Sequence, residues 1–227
     1  MKAHETVLQW VTGELAAGRL HVGDRLPGER VLSQELAISR SAVREALRVL
    51  EVLGTIRSAT GSGPNAGTII TATPEQGLST ALGLQLASRQ VSAEDLMQLR
   101  VLLETWCARS ADPDGADWEE AERLLDRMDD PGLDRAAFLR LDAEFHAVCA
   151  SAARNPLVST LMDALRLTIA EQTRARAERI EGWAGLAERL QAEHRAVLRR
   201  LREGEGAEAA TLLERHIRGY HERTERG

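Results

Sequence analysis

Between Leu26 and Leu53 the chain reads LPGERVLSQELAISRSAVREALRVLEVL, and this run restricts the fold more than any other. Pro27 suits a first helical position, where its missing N–H costs nothing. Glu29 favours a helix N-terminus. Leu32, Leu36 and Ala37 follow at helical spacing. The helix breaks at Ile38-Ser39, where Ser39 or Ser41 can cap a second helix by accepting a backbone N–H. Val43, Ala46, Leu47, Leu50 and Leu53 then form one apolar stripe. Arg40, Arg44 and Arg48 lie four apart on a neighbouring face. This spacing predicts a helix-turn-helix whose second helix offers arginines near its start to a DNA major groove. The competing reading of the three arginines alone is an amphipathic helix with a solvated basic face.

The next segment tilts the balance toward DNA. Gly54 stands where a helix ends. Thr55 to Thr71, TIRSATGSGPNAGTIIT, has β-prone ends around Gly, Ser, Pro and Asn, which predicts a hairpin with a long tip. A hairpin directly after such a helix is a wing, and tip glycines such as Gly61, Gly63 and Gly67 let backbone approach a phosphate or the minor groove. LPGER, SRSAVREALRVLEVLG and the Gly-rich wing together resemble the N-terminal domain of GntR-type bacterial transcription regulators. The resemblance implies that Arg30, Arg40 and Arg44 contact DNA. Ser39 and Ser41 at the start of the same helix belong to that surface, and Gly61 and Gly63 at the wing tip add contacts.

The chain has 227 residues, enough for two small domains or one large one. Aromatics are scarce, while Ala, Leu, Arg and Glu are abundant, as in helical proteins. No apolar run is long enough to span a bilayer. The N-terminal MKAHETVLQW lacks the apolar core of a signal peptide, so a cytoplasmic protein is expected. Cys107 and Cys149 sit in apolar helical contexts, form no CxxC pair and read as buried, inert thiols in a reducing compartment. The net charge of −6 at first argues against DNA, but its distribution matters more. Residues 1–72 carry eight Lys or Arg against seven Asp or Glu, and the remainder carries 21 against 28. The DNA-reading half must therefore concentrate its positive charge on one face. The acidic remainder limits non-specific binding to phosphate.

The expected fold is mainly α: a winged helix-turn-helix over residues 1–72 and an all-helical bundle of six or seven helices over 73–227. A first helix over 4–17 carries Val7, Leu8, Val11 and Leu15 on one side. Beyond the wing, helices are expected over 76–88, 92–110 with Ser92 as cap, 116–128, 135–152, 157–180, 183–203 and 207–223. Gly- and Pro-containing breaks separate most of them.

Three of these helices place imidazoles on apolar stripes. Phe138, Leu141, Phe145 and Cys149 mark one stripe, and Asp142 and His146 lie beside it, four apart on one face. His194 falls within Leu186, Leu190, Val197, Leu198 and Leu201. His216 falls within Ala209, Leu212, Leu213, Ile217 and Tyr220. Each buried polar group left unsatisfied costs about 1–3 kcal/mol. A shared divalent ion satisfies all four at once, and three neutral imidazoles with one carboxylate suit Zn²⁺, with Ni²⁺, Mn²⁺ and Fe²⁺ as alternatives. The competing reading has each histidine bonded singly to a backbone carbonyl. Arg100 adjoins the stripe Leu96, Leu99, Leu103 and Trp106. It reads either as an ion-pair partner of Glu104 or as a clamp for a carboxylate.

RVLLE, DAEFH, NP, EHRAVL and a histidine in the last helix resemble the FCD effector domain of the FadR-type branch of GntR regulators. In metal-containing members the resemblance assigns the ligands to the positions of Asp142, His146, His194 and His216. It assigns the pocket arginine to Arg100 and a nearby pocket residue to Asn155. Acyl-CoA-binding members lack this full ligand set, so a small carboxylate effector is implied. The expectation is a homodimeric repressor, not an enzyme, that binds a palindromic operator and no membrane. It senses an organic acid through a metal-containing pocket. A sensor of the metal itself, a metal-dependent hydrolase and a constitutive DNA-binding protein whose second domain only dimerises are the rivals.

Overall fold

The computed structural model describes residues 3–59, 67–71, 73–177 and 181–226; the expected wing-tip contacts Gly61 and Gly63 lie outside the described residues. Among these residues are ten helices and one two-stranded antiparallel sheet. The chain divides into two compact units, Met1–Leu78 and Ser79–Gly227.

In the first unit, α1 (Ala3–Ala16) buries Val7 and Val11 completely. Leu8, expected beside them, is exposed, because the stripe runs Val7, Val11 and half-buried Leu15 with Trp10 at its edge. Helix α2 (Glu29–Glu35) is capped by extended Gly28, so Pro27 precedes the cap and does not open the helix. Ala37 lies in the turn rather than on the stripe, at a left-handed φ of 53°, exposed. Ser39, not Ser41, caps α3 (Arg40–Val52): its Oγ accepts from the Ala42 N–H at 3.2 Å and sits 3.0 Å from Ser41 Oγ. Val43, Ala46, Leu47 and Leu50 bury the inner face of α3, while Leu53 forms its C-cap and is exposed.

Gly54 follows at φ 69°, and a Cβ there would sit 2.0 Å from the carbonyl oxygen of Thr73. Only glycine satisfies both the left-handed backbone and this close approach. The wing strands β1 (Ile56–Ala59) and β2 (Gly67–Ile70) pair from Ile56↔Ile70 to Ala59↔Gly67, with both isoleucines buried. The segment between α1 and α2 joins the other edge of β2. Gly23 and Leu26 donate to the carbonyls of Ile70 and Thr68, and Ile70 donates to Asp24. A stretch that reads as a simple connection therefore ties the wing to the helices.

In the second unit, α4 (Glu75–Ala87), which begins in the first unit, is followed by α5 (Ala93–Arg109), α6 (Trp118–Met128), α7 (Arg135–Ser151), α8 (Pro156–Ala177), α9 (Trp183–Arg202) and α10 (Gly206–Arg226). A reciprocal capping box between Ser92 and Asp95 opens α5, and Asp117 and Asp134 cap α6 and α7. The main core joins Leu124, Leu125 and Met128 of α6 to Phe138, Leu141 and Phe145 of α7, and to Leu190 and Leu201 of α9. Helix α10 lies along α5. Gly206 makes this possible, since a Cβ there would meet the Ala108 carbonyl oxygen at 2.3 Å.

The inner face of α5 differs from expectation. Leu99 and Trp106 are exposed, and Arg100 and Glu104 are buried in their place beside Leu96, Met97 and Val101. Charged residues occupy the inward face because they pair with each other there and Glu104 meets His146 of α7. No helix among the described residues is long and apolar enough to cross a membrane.

Candidate metal centre

The convergence begins on α7, where Asp142 and His146 stand one turn apart and both face inward. His194 comes from the middle of α9 and His216 from the middle of α10. His194 is fully buried, and His146, His216 and Asp142 are no more than 8% exposed. One ligand atom from each residue falls within 4.8 Å of all the others. His216 Nε2 lies 3.2 Å from both His146 Nε2 and His194 Nε2. Asp142 Oδ1 lies 3.0 Å from His194 Nε2 and 3.9 Å from His146 Nε2. A tetrahedron of about 2.1 Å metal bonds has edges of about 3.4 Å, so these separations match one shared ion.

The outer nitrogens decide which atoms face inward as lone pairs. His146 Nδ1 lies 2.6 Å from Glu104 Oε2, and His216 Nδ1 lies 2.8 Å from Glu193 Oε2. Carboxylates accept, so both Nδ1 atoms carry the proton. In neutral rings of this tautomer both Nε2 atoms are bare, and they face each other at 3.2 Å. Two bare lone pairs at that distance repel, and a cation between them removes the conflict. Orienting a ligating imidazole through its other nitrogen is what a metal site requires. His194 differs: as the Nε2–H tautomer it donates to Asp142, whereas ligation through Nε2 would put its proton on Nδ1, which is buried and meets no hydrogen-bond partner among the described residues.

The electrostatics favour a cation as well. Burial would push the Asp142 carboxyl up, but His194, His146 and Arg100 outweigh it and hold it well below the usual carboxylate range. Burial likewise opposes Glu104, yet Arg100 and His146 hold it at about 2. Burial and the neighbouring His216 push His194 down to about 4, against the pull of Asp142. Burial also lowers His216, although Glu193 works against it. With neutral rings, as ligation needs, Arg100 stands against Glu104, Asp142 and the half-exposed Glu193, leaving two net negative charges around the cluster, which a divalent cation would balance.

Arg100 donates through Nε to Glu104 Oε1 at 2.5 Å, so the ion-pair reading of that arginine holds. Arg100 also lines a small cavity with Leu139, Asp142, Ile169, His216 and Tyr220, beside the cluster. Asn155 is not among these lining residues; its Oδ1 accepts from the N–H groups of Leu157 and Val158 at the start of α8. A wider groove between α6 and α9 has Arg195 paired with Asp126 and Asp129, and Arg202 with Glu122. Sequence reasoning missed Glu193 entirely and saw Glu104 only as a partner for Arg100. The i, i+4 spacing of Arg100 and Glu104 was visible, but which helices face them was not.

Cys107 and Cys149 are buried and unpaired in a disulfide, and they line a second small cavity with Glu104 and His146. Burial, with Glu104 adding, pushes the Cys107 thiol up to about 11.

In the first unit, Arg30, Ser39, Arg40, Ser41 and Arg44 are all exposed around the start of α3. Arg44 makes a two-pronged bond to Glu29, with Nε at 3.1 Å from Oε1 and the terminal nitrogen at 2.9 Å from Oε2.

Residues 3–64 match the family described as bacterial regulatory proteins, gntR family, and residues 95–219 match the FCD domain. The regulator LutR of Bacillus subtilis is 28% identical over 88% of this chain and 91% of its own length. The repressor NanR of Cronobacter sakazakii is 32% identical over 63% of this chain and 55% of its own length. Among solved structures, a GntR protein of Streptococcus agalactiae matches with a TM-score of 0.62 at 24% identity. The match covers 96% of this chain and 98% of that one, and it shows a shared fold.

Proposed function

This chain belongs to the gntR family of bacterial regulatory proteins and carries an FCD domain, and we propose that it is a repressor released from DNA by a small organic acid. It is a DNA-binding transcription regulator, and its relatives are regulators rather than enzymes. We assign DNA binding to residues 1–72 and effector binding with dimerisation to 73–227, in a cytoplasmic homodimer. Each protomer sets α3 into one of two successive major grooves of a palindromic operator, reading it with Arg40 and Arg44. Arg30, Ser39 and Ser41 flank that contact. The repressor role follows the Cronobacter relative, which is named as one.

The single observation that carries the effector reading is the convergence of Asp142 Oδ1 and three imidazole Nε2 atoms. Asp142, His146, His194 and His216 hold a divalent cation, Zn²⁺ in the first place. When bound, the cation would supply a Lewis-acidic centre, which a carboxylate oxygen could join by raising its coordination above the four protein ligands. Arg100 lines the adjoining cavity and binds the acid's carboxylate, where a guanidinium gives paired hydrogen bonds. The acid weakens operator binding by favouring the arrangement of the helices that fits DNA less well.

The test combines metal analysis of the purified protein with operator binding, measured by fluorescence anisotropy, across a panel of small carboxylates with and without chelator. One metal per chain and an acid that releases DNA only when metal is present are expected. Release by metal alone would replace the acid sensor with a metal sensor. A metal-free protein indifferent to every acid would remove the effector site.

A further inference from the structure

Glu104 touches both halves of the proposed site. One oxygen accepts from Arg100 Nε at 2.5 Å, and the other faces His146 Nδ1 at 2.6 Å. Its side chain is 3% exposed, so water offers neither donor a ready substitute. Glu193 provides a built-in comparison. It orients His216 in the same way, at 2.8 Å, but its side chain is 36% exposed, and no bond joins it to Arg100 among those described. Two carboxylates thus each fix a ligand imidazole, and one of them also holds the cation that faces the cavity.

From this geometry we infer that Glu104 is a positioning residue that makes anion capture by Arg100 conditional on a filled metal site. The inference rests on the metal-and-acid reading of the site. Without a cation, Glu104 neutralises Arg100 at close range, and Asp142, on the same cavity wall, repels an incoming carboxylate. Interactions between unit charges at these separations exceed thermal energy even at a protein-like dielectric. With the His146 ring engaged at Nε2, its Nδ1–H becomes the stronger donor. The Glu104 charge is then held at the imidazole, and Arg100 is left to the anion. Metal and anion therefore favour each other's binding, and the linkage is reciprocal. Such an arrangement keeps the pocket closed to anions until it is assembled.

The test uses acetate as probe and the full chain, either stripped of metal by dialysis or loaded with Zn²⁺, with acetate affinity read by thermal-shift titration. Wild-type protein should bind acetate at least about tenfold more tightly when loaded. Glu104→Gln keeps the side-chain shape but removes its charge, and should raise acetate affinity in the stripped protein by about tenfold. Glu104→Asp retains the charge and should return that affinity to the weak wild-type level. Glu193→Gln should weaken Zn²⁺ binding by about 10–100-fold, as loss of an orienting partner does, yet leave stripped-protein acetate affinity unchanged.

An unchanged acetate affinity in stripped Glu104→Gln, or an equal rise in Glu193→Gln, would overturn the inference. A second measurement needs no variant. The Arg100 Nε–H resonance of wild-type protein should move upfield on Zn²⁺ addition without acetate, the direction of a weakened bond to Glu104. An unmoved resonance would also overturn the inference. A wild-type protein that bound neither Zn²⁺ nor acetate would instead defeat the underlying reading of the site.

Discussion

His146 and His216 face each other Nε2 to Nε2 at 3.2 Å, although each turns its Nδ1 to a carboxylate. While both rings are neutral, neither can donate to the other without giving up its outer bond, a conflict that a cation between them would remove. The Asp142→Ala, His146→Ala double variant should therefore carry no metal above background by mass spectrometry. Zn²⁺ binding as tight as that of wild type would refute the ligand assignment.

Metal removal should lower the stability of the helical unit. A ligand present at a thousandfold excess over its dissociation constant stabilises the folded state by about 4 kcal/mol. For a unit of this size that corresponds to a fall of roughly 10 °C in melting temperature on chelation. Calorimetry of the loaded and stripped protein checks this. Coincident melting curves would mean that no structural ion is bound.

Glu29 holds Arg44 in place before DNA arrives, with two hydrogen bonds across the turn. Arg44→Ala should weaken binding to the cognate operator by about 1–3 kcal/mol while leaving random-sequence binding nearly unchanged, as loss of a base contact does. Glu29→Gln frees Arg44 and removes a negative charge from this surface. Its non-specific DNA affinity should rise and fall more steeply with salt. Anisotropy titrations at several salt concentrations separate the two effects.

Gly54→Ala should destabilise the winged unit by more than about 2 kcal/mol. The left-handed backbone alone costs an L-residue roughly 1–2 kcal/mol, and the new Cβ would press on the Thr73 carbonyl. Urea denaturation monitored through operator binding would register the loss. A variant as stable as wild type would show that the 54–73 contact yields easily.

Cys107 and Cys149 should resist thiol reagents in the folded protein. Both are buried, and burial raises both thiols above their ordinary range, so little thiolate exists near neutral pH. A colorimetric thiol assay at pH 8 should find no fast-reacting group until denaturant is added, and then two per chain. Prompt reaction of either in native protein would show that the cavity they share with Glu104 opens.

Much of this architecture was legible in the residues. Helical periodicity, Ser92 and Gly54 placed the elements to within a few residues, because those signals act locally. The inward histidines were legible for the same reason: His194 and His216 sit in phase with leucines, so any packing of α9 and α10 buries them. The misreading of α5 has a physical cause. Leu99 and Trp106 of α5 have the pattern of a buried stripe, yet they are exposed and Arg100 and Glu104 are buried. A helix's hydrophobic pattern says that one face is covered, and where charges and apolar residues border each other it does not say which one.

By itself, the sequence determined the succession of helices, the wing after the second helix of the turn motif, and four ligand-type side chains on apolar faces. Each follows from spacing along one element. Only the tertiary structure decided that Glu104 and Glu193 would be the acceptors of the ligand imidazoles and that Glu29 would hold Arg44. It also decided that the segment before α2 would join the wing sheet. Those relationships join different elements of the chain, and in the helical unit they exist because buried charges must find partners wherever packing brings them.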